Sequence, residues 1–188
     1  MQNTSTSCVT LHMAASLDGF IARRDGSVDW MQTHDRSEAG ETLEPAAMAE
    51  FLRGIDCYVM GSRTYELATD FEARGMGWAY GDTPTFVLTH RALPKVRPSV
   101  EFLAGDLADL IKQLRTRFCS IWVVGGGKVC GECLQRGLAD EVRFSVMPVA
   151  PGDGIHFFQG MDRTVALHLL EVKAYRSGIV ALRHQIRQ

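Results

Sequence analysis

A chain of 188 residues, 46% hydrophobic and 22% charged, fits one folded domain with a sizeable core and no need of disulfides or metal. Its formal net charge of −2 gives no argument for nucleic acid or an anionic membrane as the main partner, so neither is expected, and no run approaches the roughly 18 apolar residues of a membrane span. Five cysteines, an odd number without framework spacing, and a start without basic and apolar signal regions lead us to expect no secretory signal, reduced thiols and a cytoplasmic location.

The chain is expected to form a single domain over 1–188, with residues 1–8 a flexible tail. CVTLHMAAS (8–16) reads as a strand, turned by Leu17-Asp18-Gly19 into FIA (20–22). A polar stretch from Thr33 to Glu44 reads as loop. PAAMAEFLRG (45–54) has a helical pattern, with Pro45 suited to the first turn and Gly54 to the stop. IDCYVMG (55–61) is a short buried strand that leads directly into a helix over 62–71. Gly75, Gly77 and Gly81 mark a loop before the strands TFVLTH (85–90) and VEFLAG (100–105). Leu107, Leu110, Ile111 and Leu114 have helical spacing within 106–117. SIWVVGG (120–126) is an apolar strand followed by a helix near KVCGECLQRG. After EVRFSVMPVA (141–150), Ser177-Gly178 joins the last two strands in an antiparallel hairpin. Strands alternating with helices, then a β-rich end, predict a three-layer α/β/α domain around a mixed, mostly parallel sheet.

Special sequence gathers at strand ends, where open α/β sheets place ligands. In MGSRTYE (60–66), Gly61, Ser62, Arg63 and Thr64 open a helix, and free N–H groups, hydroxyls and a guanidinium suit a phosphate. The alternative is that Ser62 only caps the helix and Arg63 meets solvent. In VLTHR (87–91), Thr89, His90 and Arg91 end a strand, either as solvated surface or as a second anion-facing site. VVGGGKV (123–129) matches neither G-x-x-x-x-G-K-[ST] nor G-x-G-x-x-G, since Val129 follows Lys128 and position 130 is Cys130. What remains is strand, three glycines and helix: a tight turn, or a cradle that lets a pyrophosphate approach the helix with Lys128 nearby. In AASLDGFIA (14–22), Asp18 either stabilises its own turn or stands with Ser16 beside a substrate.

These segments, with Trp30 and DEVRFSVMPVAPGDGIHFF (140–158), come in the order found in one family. The chain resembles the dihydrofolate-reductase-like fold, and within it the riboflavin-biosynthesis reductase domain in a stand-alone form without the deaminase. The resemblance implies an NADPH-dependent oxidoreductase acting on a small molecule, and a homodimer. It implies that Gly61, Ser62, Arg63 and Thr64 hold the adenosine-side phosphates and that Leu88, Thr89 and His90 line the adenosine site. Val124, Gly125, Gly126, Gly127, Lys128 and Val129 would take the pyrophosphate and nicotinamide ribose, with a cis peptide between Gly125 and Gly126. Ser16, Asp18 and Trp30 would border nicotinamide and substrate, Asp18 orienting substrate or relaying a proton through water.

Two departures bear on the substrate. Dihydrofolate reductases carry an acid on the helix before MG-x-x-T. Aligned on Phe51, that face shows Ala46, Ala47 and Met48, with Glu50 out of register. Riboflavin-pathway reductases carry a glutamate before a glycine pair, where the alignment here reads Gly125. The expected reaction is hydride transfer to a C=N or C=O group of a heterocyclic or phosphorylated compound, 5-amino-6-(5-phosphoribosylamino)uracil among the candidates. Dihydrofolate reduction and a non-catalytic nucleotide-binding or dimerisation module are the alternatives. Cys130 and Cys133 have redox-like spacing but fit better as a buried core pair, and six scattered histidines predict no metal site.

Overall fold

The computed structural model describes residues 7–187. Most of the expected tail, residues 1–6, lies outside the described residues, whereas Cys8 already pairs as the first residue of a strand. Ten strands and four helices follow in chain order: β1 (Cys8–Ser16), β2 (Phe20–Ala22), α1 (Pro45–Arg53), β3 (Cys57–Gly61), α2 (Ser62–Ala73), β4 (Thr85–Leu88), β5 (Val100–Leu103), α3 (Leu107–Arg115), β6 (Ser120–Gly125), α4 (Gly127–Gln135), β7 (Glu141–Met147), β8 (Ile155–His156), β9 (Leu167–Ala174) and β10 (Val180–Ile186). Eight strands form one sheet in the order β5-β4-β3-β6-β1-β7-β10-β9, and β2 pairs with β8 apart from it.

The pairs from β5 to β7 are parallel, and the β9–β10 hairpin adds two antiparallel pairs at one edge. This is the mixed, mostly parallel sheet expected from the sequence. The strand order sets the layers, because right-handed crossovers put helices on opposite faces when the chain winds in opposite directions. From β1 towards β4 the chain winds one way and lays α1 and α2 on one face. From β5 through β6 to β7 it winds back and lays α3 and α4 on the other.

Strand alternation feeds both layers. In β6, Ile121 and Val123 point into the core under α3 and α4 with Val9, Leu11 and Cys130. Trp122 and Val124 point the other way, into a second cluster with Tyr58, Met60 and Phe51 beneath α1 and α2. Helix α3 buries the four residues whose spacing announced it. The sequence reading missed β8, a two-residue strand with too little length for any periodicity. Beyond β7 the α1 face of the sheet carries no helix among the described residues, and this gap shapes the site.

Candidate functional site

Neighbouring parallel strands β3 and β6 end together, with Val59 opposite Val123 and Met60 opposite Gly125. Each runs straight into a helix: Gly61 is the N-cap of α2 and Gly126 the N-cap of α4. Neither helix has a side-chain cap, so Ser62 is the first helical residue of α2 and not its cap. Helix α3 differs, because Asp106 accepts from the N–H groups of Ala108 and Asp109. Two sets of uncapped N–H groups and two dipole ends therefore stand side by side, an arrangement that favours negative charge.

Glycine is what allows the approach. A Cβ on Gly61 would lie 3.3 Å from Val129 Cγ2, and one on Gly126 would lie 3.5 Å from Thr64 Oγ1. The Gly125–Gly126 peptide is cis, as the resemblance implied. Gly125, where the alignment sets the riboflavin enzymes' glutamate, is the buried last residue of β6. It has no side chain, so no acid stands there, and Val124 before it packs half-buried among apolar side chains on the α1 face.

The β4 end completes the rim. Gly61 pairs with Leu88, so Ser62–Thr64 and Thr89–His90 leave adjacent strands at one level. Thr89 Oγ1 accepts from the Arg91 N–H at 3.0 Å, and the Arg91 guanidinium holds Glu66 of α2 at 2.6 and 2.9 Å. Arg91 is thus engaged within the protein, while Arg63 and His90 are exposed on the rim.

The third glycine and the lysine have other surroundings. Gly127 is buried, its carbonyl accepts from the Gln159 N–H at 3.0 Å, and an added Cβ would collide with the His156 carbonyl oxygen. Gly131, one turn on, is equally close to the Gln159 backbone. These two glycines seat α4 on the segment after β8. Lys128 is exposed and lines a separate surface notch with Glu132, Arg136 and Gln159. Cys130 and Cys133 are buried free thiols, and burial pushes Cys133 up to about 12, which leaves no reactive thiolate.

Ser16 and Asp18 meet at the end of β1. Buried Ser16 donates to Asp18 Oδ1 at 2.6 Å and accepts from the Phe20 N–H at 2.9 Å. Asp18 Oδ2 accepts from the Gly152 N–H at 2.8 Å. Those bonds, the Ser16 hydroxyl first, hold the exposed Asp18 carboxyl below its ordinary range. Asp18 is therefore ionised at neutral pH and ties the β1–β2 turn to the loop after β7. Trp30 is buried in a short 3-10 turn, and among the described residues its Nε1 has no partner.

A hollow of about 340 Å3 opens where the α1 face lacks a helix. Its floor is a row of small residues in register across three strands, Ala14 opposite Ser145 and Ser145 opposite Ala181. The adjacent row, His12, Arg143 and Arg183, forms a polar wall. His12 stacks on Trp122 with centroids 4.5 Å apart, and Phe51 of α1 meets its edge at 5.7 Å. Burial first, then Arg143, lowers His12 to about 4, so its imidazole is neutral. Arg143 lies 5.0 Å from the Phe51 ring centre and is held down by burial. The side chains of Ala47 and Met48 lie outside the description, and Glu50 is exposed. Sequence reasoning missed this wall, because a period of two in β7 and β10 gives faces only once the register with β1 is known.

Among the described residues no helix is long and apolar enough to cross a membrane, and no three His, Cys, Asp or Glu side chains gather as for a metal ion. The protein is 26% identical over 170 residues to the uncharacterized protein YwjB of Bacillus subtilis (strain 168), covering 90% of this chain and 92% of that one. It is 22% identical over 183 residues to YyaP of the same organism, covering 93% and 92%. Its fold is similar to that of a Shewanella sp. PV-4 protein provisionally assigned to riboflavin biosynthesis, with TM-score 0.79, 22% identity and coverage of 96% and 99%. A Thermotoga maritima diaminohydroxyphosphoribosylaminopyrimidine deaminase/5-amino-6-(5-phosphoribosylamino)uracil reductase has TM-score 0.68 at 19% identity, covering 97% of this chain and 57% of that one. At these identities the solved structures speak to fold. The profile of the RibD C-terminal domain matches residues 7–181, and the chain belongs to that reductase-like family.

Proposed function

We propose that this protein is an NADPH-dependent reductase that transfers hydride to a C=N or C=O group of a small heterocyclic compound. The observation that carries the reading is the pair of uncapped helix N-termini, α2 and α4, meeting through Gly61 and Gly126 in a chain of this family. Their free N–H groups suit the cofactor's pyrophosphate, and the gap between them is one that a Cβ would narrow. Gly61, Ser62, Thr64, Gly125, Gly126 and Val129 would hold the phosphates and ribose, with Arg63 supplying charge for the 2′-phosphate. Leu88, Thr89 and His90 would border the adenosine. Lys128 contributes little, since it faces the notch along α4.

The bound cofactor would supply the hydride; the chain supplies orientation and exclusion of water. Ser16 and Asp18 fix the turn beside the β1 end, and an ionised Asp18 can orient a donor group but holds no proton to give. Titration calorimetry with NADPH tests the reading directly. We expect micromolar binding, tighter than for NADH, and no measurable heat would refute it. A screen of heterocyclic carbonyls and imines that follows NADPH oxidation then identifies the substrate.

A further inference from the structure

We propose that the hollow over β1, β7 and β10 seats a flat ring of the substrate, and that Arg143 pairs with a single negative charge carried by that ring. The proposal rests on the reductase reading of the same site and narrows its substrate to a monoanionic ring compound.

The shape follows from register. Ala14, Ser145 and Ala181 stand side by side on adjacent strands, so the sheet is bare over a patch three strands wide. Phe51 overhangs one side, and the volume of about 340 Å3 falls within the usual span for small-molecule sites. Ala14 lies on β1, next to β6, whose end carries the glycine pair. A ring on this floor is therefore one strand from the nicotinamide end of the proposed cofactor groove.

The charge follows from counting partners in the wall. Arg183 takes both oxygens of Glu141, at 2.7 and 2.9 Å, and Lys173 takes Glu171 at 3.1 Å. Two carboxylates are thus matched by two cations, and Arg143 is the third. Among the described residues its nearest approach to a carboxylate is 3.9 Å, to the Glu141 oxygen that already binds Arg183. A half-buried guanidinium without a close counter-ion is costly unless a ligand supplies one. Neutral His12 beside it adds no charge, and its Nε2 reaches Ser145 Oγ at 3.4 Å. One unmatched cation suits a carboxylate or an ionised ring nitrogen, and is too little for a phosphate dianion.

Calorimetry with 2-naphthoate and its neutral isostere 2-naphthamide tests this on the full chain. The wild type should bind the carboxylate about tenfold tighter than the amide, the size expected of one charge-assisted bond. Arg143→Gln should bind the two equally, with affinity for the amide unchanged. Ala181→Leu, which fills the floor, should lose both while keeping its far-UV circular dichroism. Binding of neither probe, equal binding by the wild type, or a preference that survives Arg143→Gln overturns the assignment. NADPH titrated into the same samples separates the two readings. The naphthoate pattern without NADPH binding sinks the reductase and leaves the hollow assigned, while NADPH binding without that pattern does the reverse.

Discussion

The backbone N–H of Gln159 donates to the carbonyl of Gly127 at 3.0 Å, so the first residue of α4 is fastened to the segment that follows β8. The Phe157 N–H donates to Gly19 at 3.1 Å, so this segment also holds the turn that contains Asp18. An alanine at 127 would drive its methyl into backbone on that segment, which has no side chain to yield. Gly127→Ala should therefore destabilise the fold by about 3 kcal/mol, the upper part of the range for overpacking. Urea unfolding should show a lower midpoint with an unchanged slope. A midpoint equal to that of the wild type would mean that the contact is not tight.

Gly126→Ala should behave in the opposite way. Gly126 has φ −82°, open to any residue, and the new methyl would meet Thr64 Oγ1 at 3.5 Å, an ordinary contact. Stability should stay within about 1 kcal/mol of the wild type. The methyl would, however, stand between the two helix ends, and NADPH affinity should fall at least tenfold by calorimetry. Undiminished affinity with a normal melting curve would show that this gap is not where the cofactor lies.

These two glycines also show how far the sequence could be read. Every helix, and every strand but β8, was legible, most from a repeated pattern and the three-residue β2 from the turn before it. GGG itself was legible as a strand-to-helix junction. That Gly127 and Gly131 serve packing was not, since their neighbours His156 and Gln159 are more than twenty residues away in sequence. The Arg143 wall was hidden for a related reason. Arg143 and Arg183 share a face with His12 only through the β1–β7–β10 register, which local sequence does not contain. Asp18 was legible as a turn residue, and its bond to Gly152 shows how the turn is tied down.

Arg63→Ala tests the cofactor's 2′-phosphate. The side chain is exposed at the first turn of α2, so its removal should leave the melting temperature unchanged. Loss of a charge-assisted contact should weaken NADPH binding by about tenfold or more, with NADH binding unaltered. The measured ratio of the two affinities is the readout. Equal weakening of both nucleotides would point to a general distortion of the helix start.

His12 gives a pH dependence of stability that carboxylates do not. Its imidazole is packed against Trp122 and Phe51 and faces Ser145 and the Arg143 cation, and burial lowers it from 6.5 to about 4. Among the described residues its Nδ1 is buried without a partner, so a second N–H there would find no acceptor. As pH falls below about 6.5 the unfolded chain takes up a proton that the folded chain refuses, and the folded state loses ground. The loss should accumulate down to about pH 4 and reach on the order of 3 kcal/mol, then level off once the folded imidazole also protonates. Glutamine at position 12 removes the titration. Denaturant midpoints of His12→Gln should therefore fall less steeply than those of the wild type between pH 7 and pH 4.5. Parallel curves for the two proteins would mean that His12 protonates freely in the fold, and the hollow's wall would then carry two cations at mildly acidic pH.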